Sequence, residues 1–289
     1  MPLWQAVVLA IAQGLTEFLP ISSTAHLTLL PWLLGFPDPG LTFDVALHLG
    51  TLAAVLIYFF RTWVDLLLLG LGRSPLFGSF TDADAAPDGG SSPAQPPRKL
   101  FWFLVLATLP AGLAGLAFQE QVATVLRHPA VIGSALILLA IPMAWGERVS
   151  RSRKRLGSVS LSDSLWIGFA QALALIPGVS RSGATMTAAL FLDFRREAAA
   201  RFSFLLSTPI IAGAVLHEGI GVARNGLPPG QGLAFLVGVL VSGLSGYLCI
   251  AWFLRYLQFG TFQIFVYYRA ILGIIVLALA LFSPLGSSI

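Results

Sequence analysis

Read for apolar and polar positions, the chain separates into long hydrophobic runs and short ones. Six runs, 43–60, 100–118, 131–145, 202–220, 233–254 and 262–282, are of membrane length or close to it, since a helix needs about 20 apolar residues to cross the hydrocarbon. Four shorter pieces, 3–19, 27–34, 165–176 and 185–192, come in two pairs. A polar break interrupts each pair: Pro20-Ile21-Ser22-Ser23-Thr24-Ala25-His26 in the first, and Pro177-Gly178-Val179-Ser180-Arg181-Ser182-Gly183-Ala184-Thr185 in the second. Short, Pro- or Gly-interrupted segments at corresponding places in two halves are the sequence sign of broken helices meeting near the bilayer midplane. The pattern predicts an all-α polytopic membrane protein with six transmembrane helices and two re-entrant helical hairpins.

The halves also resemble one another. At an offset of 158, Gln13 aligns with Gln171, Leu15 with Leu173, Ser22 with Ser180 and Thr24 with Ser182. At an offset of 131, Ala111-Gly112-Leu113-Ala114-Gly115 aligns with Ser242-Gly243-Leu244-Ser245-Gly246, a small-residue face suited to close helix packing. One hairpin followed by three spans, twice, places repeat 1 at about 1–147 and repeat 2 at about 162–289. Three intervening spans turn the second copy upside down, giving an inverted-topology repeat.

The basic residues fit that topology. With the N-terminus outside, the inner loops hold Arg61, Arg73, Arg98, Lys99, Arg148, Arg151, Arg153, Lys154, Arg155, Arg195, Arg196, Arg201 and Arg255. The outer loops keep Arg127 and Arg224, the asymmetry expected of cytoplasmic loops. Both termini are therefore expected outside. The stretch 74–98, rich in Asp, Ala, Pro, Gly and Ser at its centre, is expected to be a flexible cytoplasmic loop without chemistry. Inverted halves share one core, so 1–289 reads as a single membrane domain.

Composition narrows the class. Of 289 residues, 56% are hydrophobic and 10% charged, whereas a soluble domain carries about 25% charged residues. The formal net charge of +4 is gathered in a few loops and reads as topology, not as nucleic-acid binding. Cys249 is the only cysteine; it excludes an intrachain disulfide and a cysteine-based metal site and reads as a small core residue. Met1-Pro2-Leu3-Trp4 has no basic n-region, so a removable signal peptide is not expected.

Polar groups inside membrane-length apolar sequence are the functional signal. At the second break the half-helix ends leave N–H groups free to face an anion. Gly178 and Gly183 let the backbone approach a ligand closely. Ser180, Ser182 and Thr185 add hydroxyls, and Arg181 adds a planar cationic fork that matches phosphate. The segment is equipped as an oxyanion cradle. The first break supplies Glu17, Ser22, Ser23 and His26, with His26 four and three residues after the two serines and so on one helical face with them. A hydroxyl beside a base suits nucleophilic catalysis, and phosphoryl transfer needs cationic stabilisation of its oxygens. Glu17 is alternatively a ligand for a divalent cation, Mg or Ca. Asp44 and His48, four apart at the start of the first span, read either as a pair supporting the site or, preferably, as an interface cap, and Arg269 in the last span reads as a partner for a carboxylate or backbone carbonyls, within reach of the diphosphate. Trp4, Trp32, Trp63, Trp102 and Trp166 stand near segment ends as interfacial anchors.

Together the two breaks resemble the signature motifs of the bacterial undecaprenyl-diphosphate phosphatase family of the bacitracin-resistance type, integral membrane enzymes that release phosphate from a C55 lipid diphosphate and recycle the cell-wall lipid carrier. The layout matches over essentially the whole chain. The resemblance implies Glu17 as the essential carboxylate, Ser23 as the nucleophile and His26 as a catalytic histidine, with Ser22 and Thr24 lining the site. Arg181, flanked by Ser180 and Ser182, would bind the diphosphate, with Gln13, Gly178 and Thr185 in the same substrate-binding set. It implies a prenyl diphosphate substrate whose tail lies among membrane lipids, no nucleic-acid partner, and a bacterial cytoplasmic (inner) membrane location with the site opening to the outer face; a homodimer stays open. Family members often carry a second acid where this chain has Gln13, and an amide cannot serve as a base. Ala25 replaces a common Gly. Spacing leaves Ser23, His26 and water all open as the attacking group.

Two other functions use the same features. Inverted repeats with broken helices also build transporters, here of a prenyl phosphate or small anion, although a carrier has no need of a nucleophile. A lipid phosphatase of the phosphatidate-phosphatase type requires a closing His followed shortly by Asp, where this chain has His217-Glu218-Gly219. A purely structural membrane protein leaves the buried Glu17 and Arg181 an unexplained expense.

Overall fold

The computed structural model describes residues 1–80, 98–118, 126, 128–227 and 229–282. Among the described residues there are no β-strands, and the helices run α1 (Leu3–Phe18), α2 (Ser23–Leu34), α3 (Leu41–Tyr58), α4 (Phe60–Gly70), α5 (Leu100–Ala117), α6 (Pro129–Val149), α7 (Leu161–Ala172), α8 (Arg181–Phe191), α9 (Arg196–Asn225), α10 (Gly232–Tyr256) and α11 (Gln263–Phe282). Six of them, α3, α5, α6, α9, α10 and α11, are long and apolar enough to cross a membrane, one for each of the six long apolar runs. The protein is a multi-pass membrane protein.

The short helices break where the sequence dictates. Proline disfavours the helical conformation in the residue before it, and Leu19 before Pro20 and Ile176 before Pro177 are both extended, with ψ of 146° and 115°. Each following helix starts on a serine cap in an unusual conformation: Ser22 has φ 75° and Ser180 has φ 69°. The Ser22 Oγ accepts from the Ala25 N–H at 3.4 Å and the Ser180 Oγ from the Gly183 N–H at 3.0 Å. These two serines are the pair aligned at an offset of 158.

Packing exchanges partners between the halves. Helix α1 lies against α10, and α7 against α5; α3 packs on α10 as α9 packs on α5, while α3 meets α9 and α6 meets α11. The α1–α10 crossing is tight because Gly14 has no side chain. A Cβ there would lie 2.7 Å from both the Gly246 nitrogen and the Ser242 oxygen. Gly168 makes the corresponding approach in the other half, where a Cβ would be 2.9 Å from the Ala107 Cα. Of the two aligned small-residue faces, Ser242–Gly246 is the closely packed one. In the other, a Cβ at Gly112 would meet nothing within 4 Å.

The loop expected over 74–98 begins with ordered chain. Asp65 on α4 accepts from the Leu76 and Phe77 N–H groups at 2.7 and 2.8 Å through one carboxylate oxygen, and from the Ser79 N–H and Oγ at 2.8 Å through the other. The remainder of that loop, 81–97, and Arg127 lie outside the described residues. Trp4 and Trp102 are exposed near the starts of their helices and Trp166 is exposed midway along α7, whereas Trp63 packs against the core with its indole nitrogen buried, unlike the interfacial anchor expected.

Candidate active site

Both breaks meet at one cavity of about 190 Å³, lined by Glu17, the first turns of α2 and α8, His48 of α3, Gln171 and Ala174–Leu175 of the α7 end, and an apolar wall that includes Ala111, Ile210 and Ile211. Glu17 sits in the last turn of α1 and is 6% exposed. A carboxylate this deep needs partners to remain charged, and it has them. Arg181 Nη2 donates to Oε1 at 2.9 Å, Ser23 Oγ donates to Oε2 at 2.6 Å, and Gln13 Nε2 donates to Oε2 at 3.1 Å. The ion pair therefore joins residues 164 positions apart, one from each break. Arg181 is further held by the Ser203 carbonyl, to which Nη1 donates at 3.0 Å.

The other residues expected from the sequence divide into those at the cavity and those that brace it. Ser22, Thr24 and Ser180 line it with Ser23 and Arg181. Ser182 Oγ donates to the Leu19 carbonyl at 2.8 Å, tying the second break to the first. Thr185 Oγ1 is 2.7 Å from Ser203 Oγ and donates to the Arg181 carbonyl at 2.8 Å, bracing α8 against α9. Gly178, at φ 97°, presses on α6, where a Cβ would come 2.5 Å from the Ile132 oxygen. His26 lies away from the cavity lining: its Nδ1 is 2.7 Å from the Ser22 carbonyl and its Nε2 2.6 Å from Tyr268 Oη, on whose ring it stacks. Arg269 is fully buried and takes the backbone option. It donates to the Pro20, Gly178 and Val179 carbonyls at 3.2, 2.8 and 3.2 Å, and to Ala135 on α6 at 3.4 Å.

Two cavity residues were not singled out as site residues by the sequence reading. His48 is turned inward instead of capping an interface. Its Nδ1 faces the Asp44 carbonyl at 2.7 Å, and its Nε2 is 3.5 Å from Glu17 Oε2. A carbonyl only accepts, so Nδ1 carries a proton and Nε2 is the ring nitrogen that faces the carboxylate. Gln171, seen in the sequence only as the counterpart of Gln13, is 2% exposed, and neither its amide nitrogen nor its oxygen has a hydrogen-bond partner among the described residues. Buried amides are normally satisfied, so a polar guest in the cavity is the natural partner.

Metal binding is constrained by the same inventory. Among the described residues no group of three or more His, Cys, Asp or Glu is arranged to hold an ion. Beside Glu17, however, the buried Gln13 Oε1 has no partner among the described residues. Gln13 itself does not line the cavity and turns Nε2, not Oε1, toward Glu17, so Glu17 is the acidic group at the cavity that would hold a hard cation, whose other ligands would come from water and phosphate.

The family model described as bacitracin resistance protein BacA matches residues 6–275. A protein of Moorella thermoacetica named undecaprenyl-diphosphatase is 45% identical over 279 residues, covering 96% of this chain and 98% of the relative. Proteins of the same name from Pelotomaculum thermopropionicum and Thermomicrobium roseum are each 45% identical, covering 97% and 98% of this chain and 97% and 100% of their own length.

Proposed function

The chain belongs to the bacitracin resistance protein BacA family, and on that premise we propose that it is an undecaprenyl-diphosphatase, a membrane phosphatase that converts undecaprenyl diphosphate to undecaprenyl phosphate and inorganic phosphate and so recycles the cell-wall lipid carrier. One observation carries the reading. A hydroxyl, a carboxylate and a guanidinium, Ser23, Glu17 and Arg181, are in hydrogen-bond contact at a single buried cavity.

Ser23 Oγ attacks the terminal phosphorus while Glu17 Oε2 takes its proton. The new Oγ–P bond replaces the bond to the bridging oxygen, which leaves with its electron pair on undecaprenyl phosphate. Water then attacks the phosphoserine, Ser23 leaves and recovers its proton, and inorganic phosphate departs. Arg181 and the N-terminal turns of α2 and α8 stabilise the phosphoryl oxygens, where cations and helix N-termini act best. His48 Nε2, 3.5 Å from Glu17 Oε2, is placed to exchange with it the proton that Ser23 releases. Gln171 supplies a neutral donor to the diphosphate. A bound Mg or Ca would be held by Glu17 and would neutralise diphosphate charge. His26, bonded to Tyr268, acts on the placement of α2 in this scheme and not on phosphorus.

The partner exchange between halves and the matching strained caps at Ser22 and Ser180 support an inverted repeat with two re-entrant hairpins. With the loop arginines, they favour both termini outside and a cavity open to the outer face of the bacterial inner membrane. No observation favours a transporter over this reading. The test is phosphate release by purified protein in detergent from a C55 or shorter prenyl diphosphate. Failure of the wild type to exceed Arg181→Ala across several divalent ions would overturn the enzyme reading. Cysteine reporters near positions 89 and 226 test the topology, and labelling of both from one side would overturn inversion.

A further inference from the structure

The catalytic cavity cannot hold the whole substrate. Its volume of about 190 Å³ is below the roughly 300 Å³ at which pockets begin to enclose drug-sized ligands. A diphosphate fits there, and a polyprenyl tail must lie elsewhere. An apolar groove of about 600 Å³ runs along α6, with Val131, Ser134 and Leu138 on one wall and Leu173, Ile176 and Val179 of the α7–α8 break on the other. We propose that this groove seats the part of the prenyl tail nearest the diphosphate; the proposal rests on the phosphatase reading above.

Continuity with the cavity identifies the occupant. The break that closes the groove also closes the catalytic cavity: Ala174, Leu175, Ser180 and Arg181 line the cavity, while Leu173, Ile176 and Val179 line the groove. A lipid whose headgroup sits against Arg181 thus needs to pass only this short segment to enter the groove. The lining suits a hydrocarbon. Its one polar side chain among the described residues, Ser134, donates its hydroxyl to the Ala130 carbonyl at 2.7 Å and needs nothing from a guest.

The groove is also built in advance. Gly178 at φ 97° brings the break so close to α6 that a Cβ would lie 2.9 Å from the Ala135 Cβ. Arg269 Nη2 donates to carbonyls on both sides, Ala135 on α6 and Gly178 and Val179 on the break. One guanidinium therefore fixes the spacing of the walls. A preformed apolar slot lowers the ordering that a flexible tail must undergo on binding.

The experiment compares phosphate release from C55 and C15 prenyl diphosphates by wild type, Ser134→Trp and Val131→Trp, with Ile141→Trp, exposed on the same helix outside the groove lining, as control. Filling the groove should raise KM tenfold or more for both substrates, because C15 already carries the units nearest the diphosphate, while kcat stays within twofold and the control is unchanged. C55 prenol, which has a tail and no phosphate, should inhibit C15 turnover competitively in wild type and tenfold more weakly in Ser134→Trp. Wild-type KM for both substrates in both groove variants, a fall in kcat at unchanged KM, or no inhibition of wild type by the prenol would each overturn the assignment. The last of these is decisive even if a tryptophan variant fails to fold. A wild type inactive on both substrates would instead remove the phosphatase reading, and the groove with it.

Discussion

Replacing Glu17 with glutamine keeps the shape of the side chain and removes its charge, which separates its catalytic part from its binding part. In the wild type one carboxylate oxygen takes the Arg181 Nη2 hydrogen bond at 2.9 Å and the other takes Ser23 Oγ at 2.6 Å. An amide offers one accepting oxygen and an NH2 group, so if Arg181 keeps the oxygen, Ser23 faces a donor and loses its base. General-base catalysis contributes about 10²–10⁴-fold, or roughly 2.7–5.4 kcal/mol at about 1.36 kcal/mol per factor of ten. Ground-state binding moves the other way, because a carboxylate repels an anionic diphosphate. The expected result of Glu17→Gln is a kcat lower by about 10²–10⁴-fold with KM unchanged or reduced. Breaking a buried ion pair can cost about 3–5 kcal/mol, but Arg181 retains the Ser203 carbonyl at 3.0 Å and its side chain is 13% exposed, so the folded protein should survive. Steady-state phosphate release and thermal unfolding in the same detergent measure both effects. A kcat within tenfold of wild type, or a tenfold rise in KM at constant kcat, would refute the role of Glu17 as base.

Three further outcomes follow from other parts of the molecule. Gln171→Leu removes a buried amide without partners among the described residues, so stability should hold or rise, while KM for the diphosphate rises about 10- to 150-fold, as loss of one hydrogen bond to a charged group of about 1.5–3 kcal/mol implies; destabilisation with unchanged KM would contradict this. Gly14→Ala forces α1 off α10 and should destabilise by about 1–3 kcal/mol in thermal unfolding, whereas Gly112→Ala, with nothing within 4 Å of the new Cβ, should be neutral. Burial alone would raise the Asp65 carboxyl, but four hydrogen bonds from Leu76, Phe77 and Ser79 outweigh it and hold the group below its ordinary value. A depressed carboxyl contributes stability that is present above its unfolded value of about 3.9 and is lost as pH falls through the folded one. Amide exchange at Leu76, Phe77 and Ser79, corrected for intrinsic rate, should lose protection progressively below about pH 4, and Asp65→Asn should lose it at neutral pH; protection unchanged in both would sink the account.

What could be read from the sequence was set by how local each feature is. Span length and the Pro-Ser breaks are properties of contiguous residues, so the six long helices and the starts of α2 and α8 were legible. Which way the histidines face was not. His26 and His48 have the same local structure, each with Nδ1 at 2.7 Å from the carbonyl four residues before it. Only the packing of α2 against α11 and of α3 near α1 decides that one Nε2 meets Tyr268 and the other Glu17. Gln13 and Gln171 are alike in sequence too, yet one donates to Glu17 and the other has no partner among the described residues. Helical spacing states which residues share a face, and tertiary packing states what that face looks at.

The strained caps explain why the site needs both halves. A serine at positive φ costs on the order of 1–3 kcal/mol and persists only where its surroundings over-determine it. Ser22 and Ser180 each have a local capping bond and a further local contact, to His26 and Ser182 respectively, and other restraints cross between the breaks. Ser182 holds Leu19, and Arg269 holds Pro20 together with Gly178 and Val179. The residue after each cap carries the chemistry, Ser23 in one half and Arg181 in the other, and the two meet through Glu17. Equivalent backbone positions thus present a hydroxyl and a cation to the same cavity. Each strained turn is locked by contacts from the opposite half, so loosening either break must displace the chemistry of both.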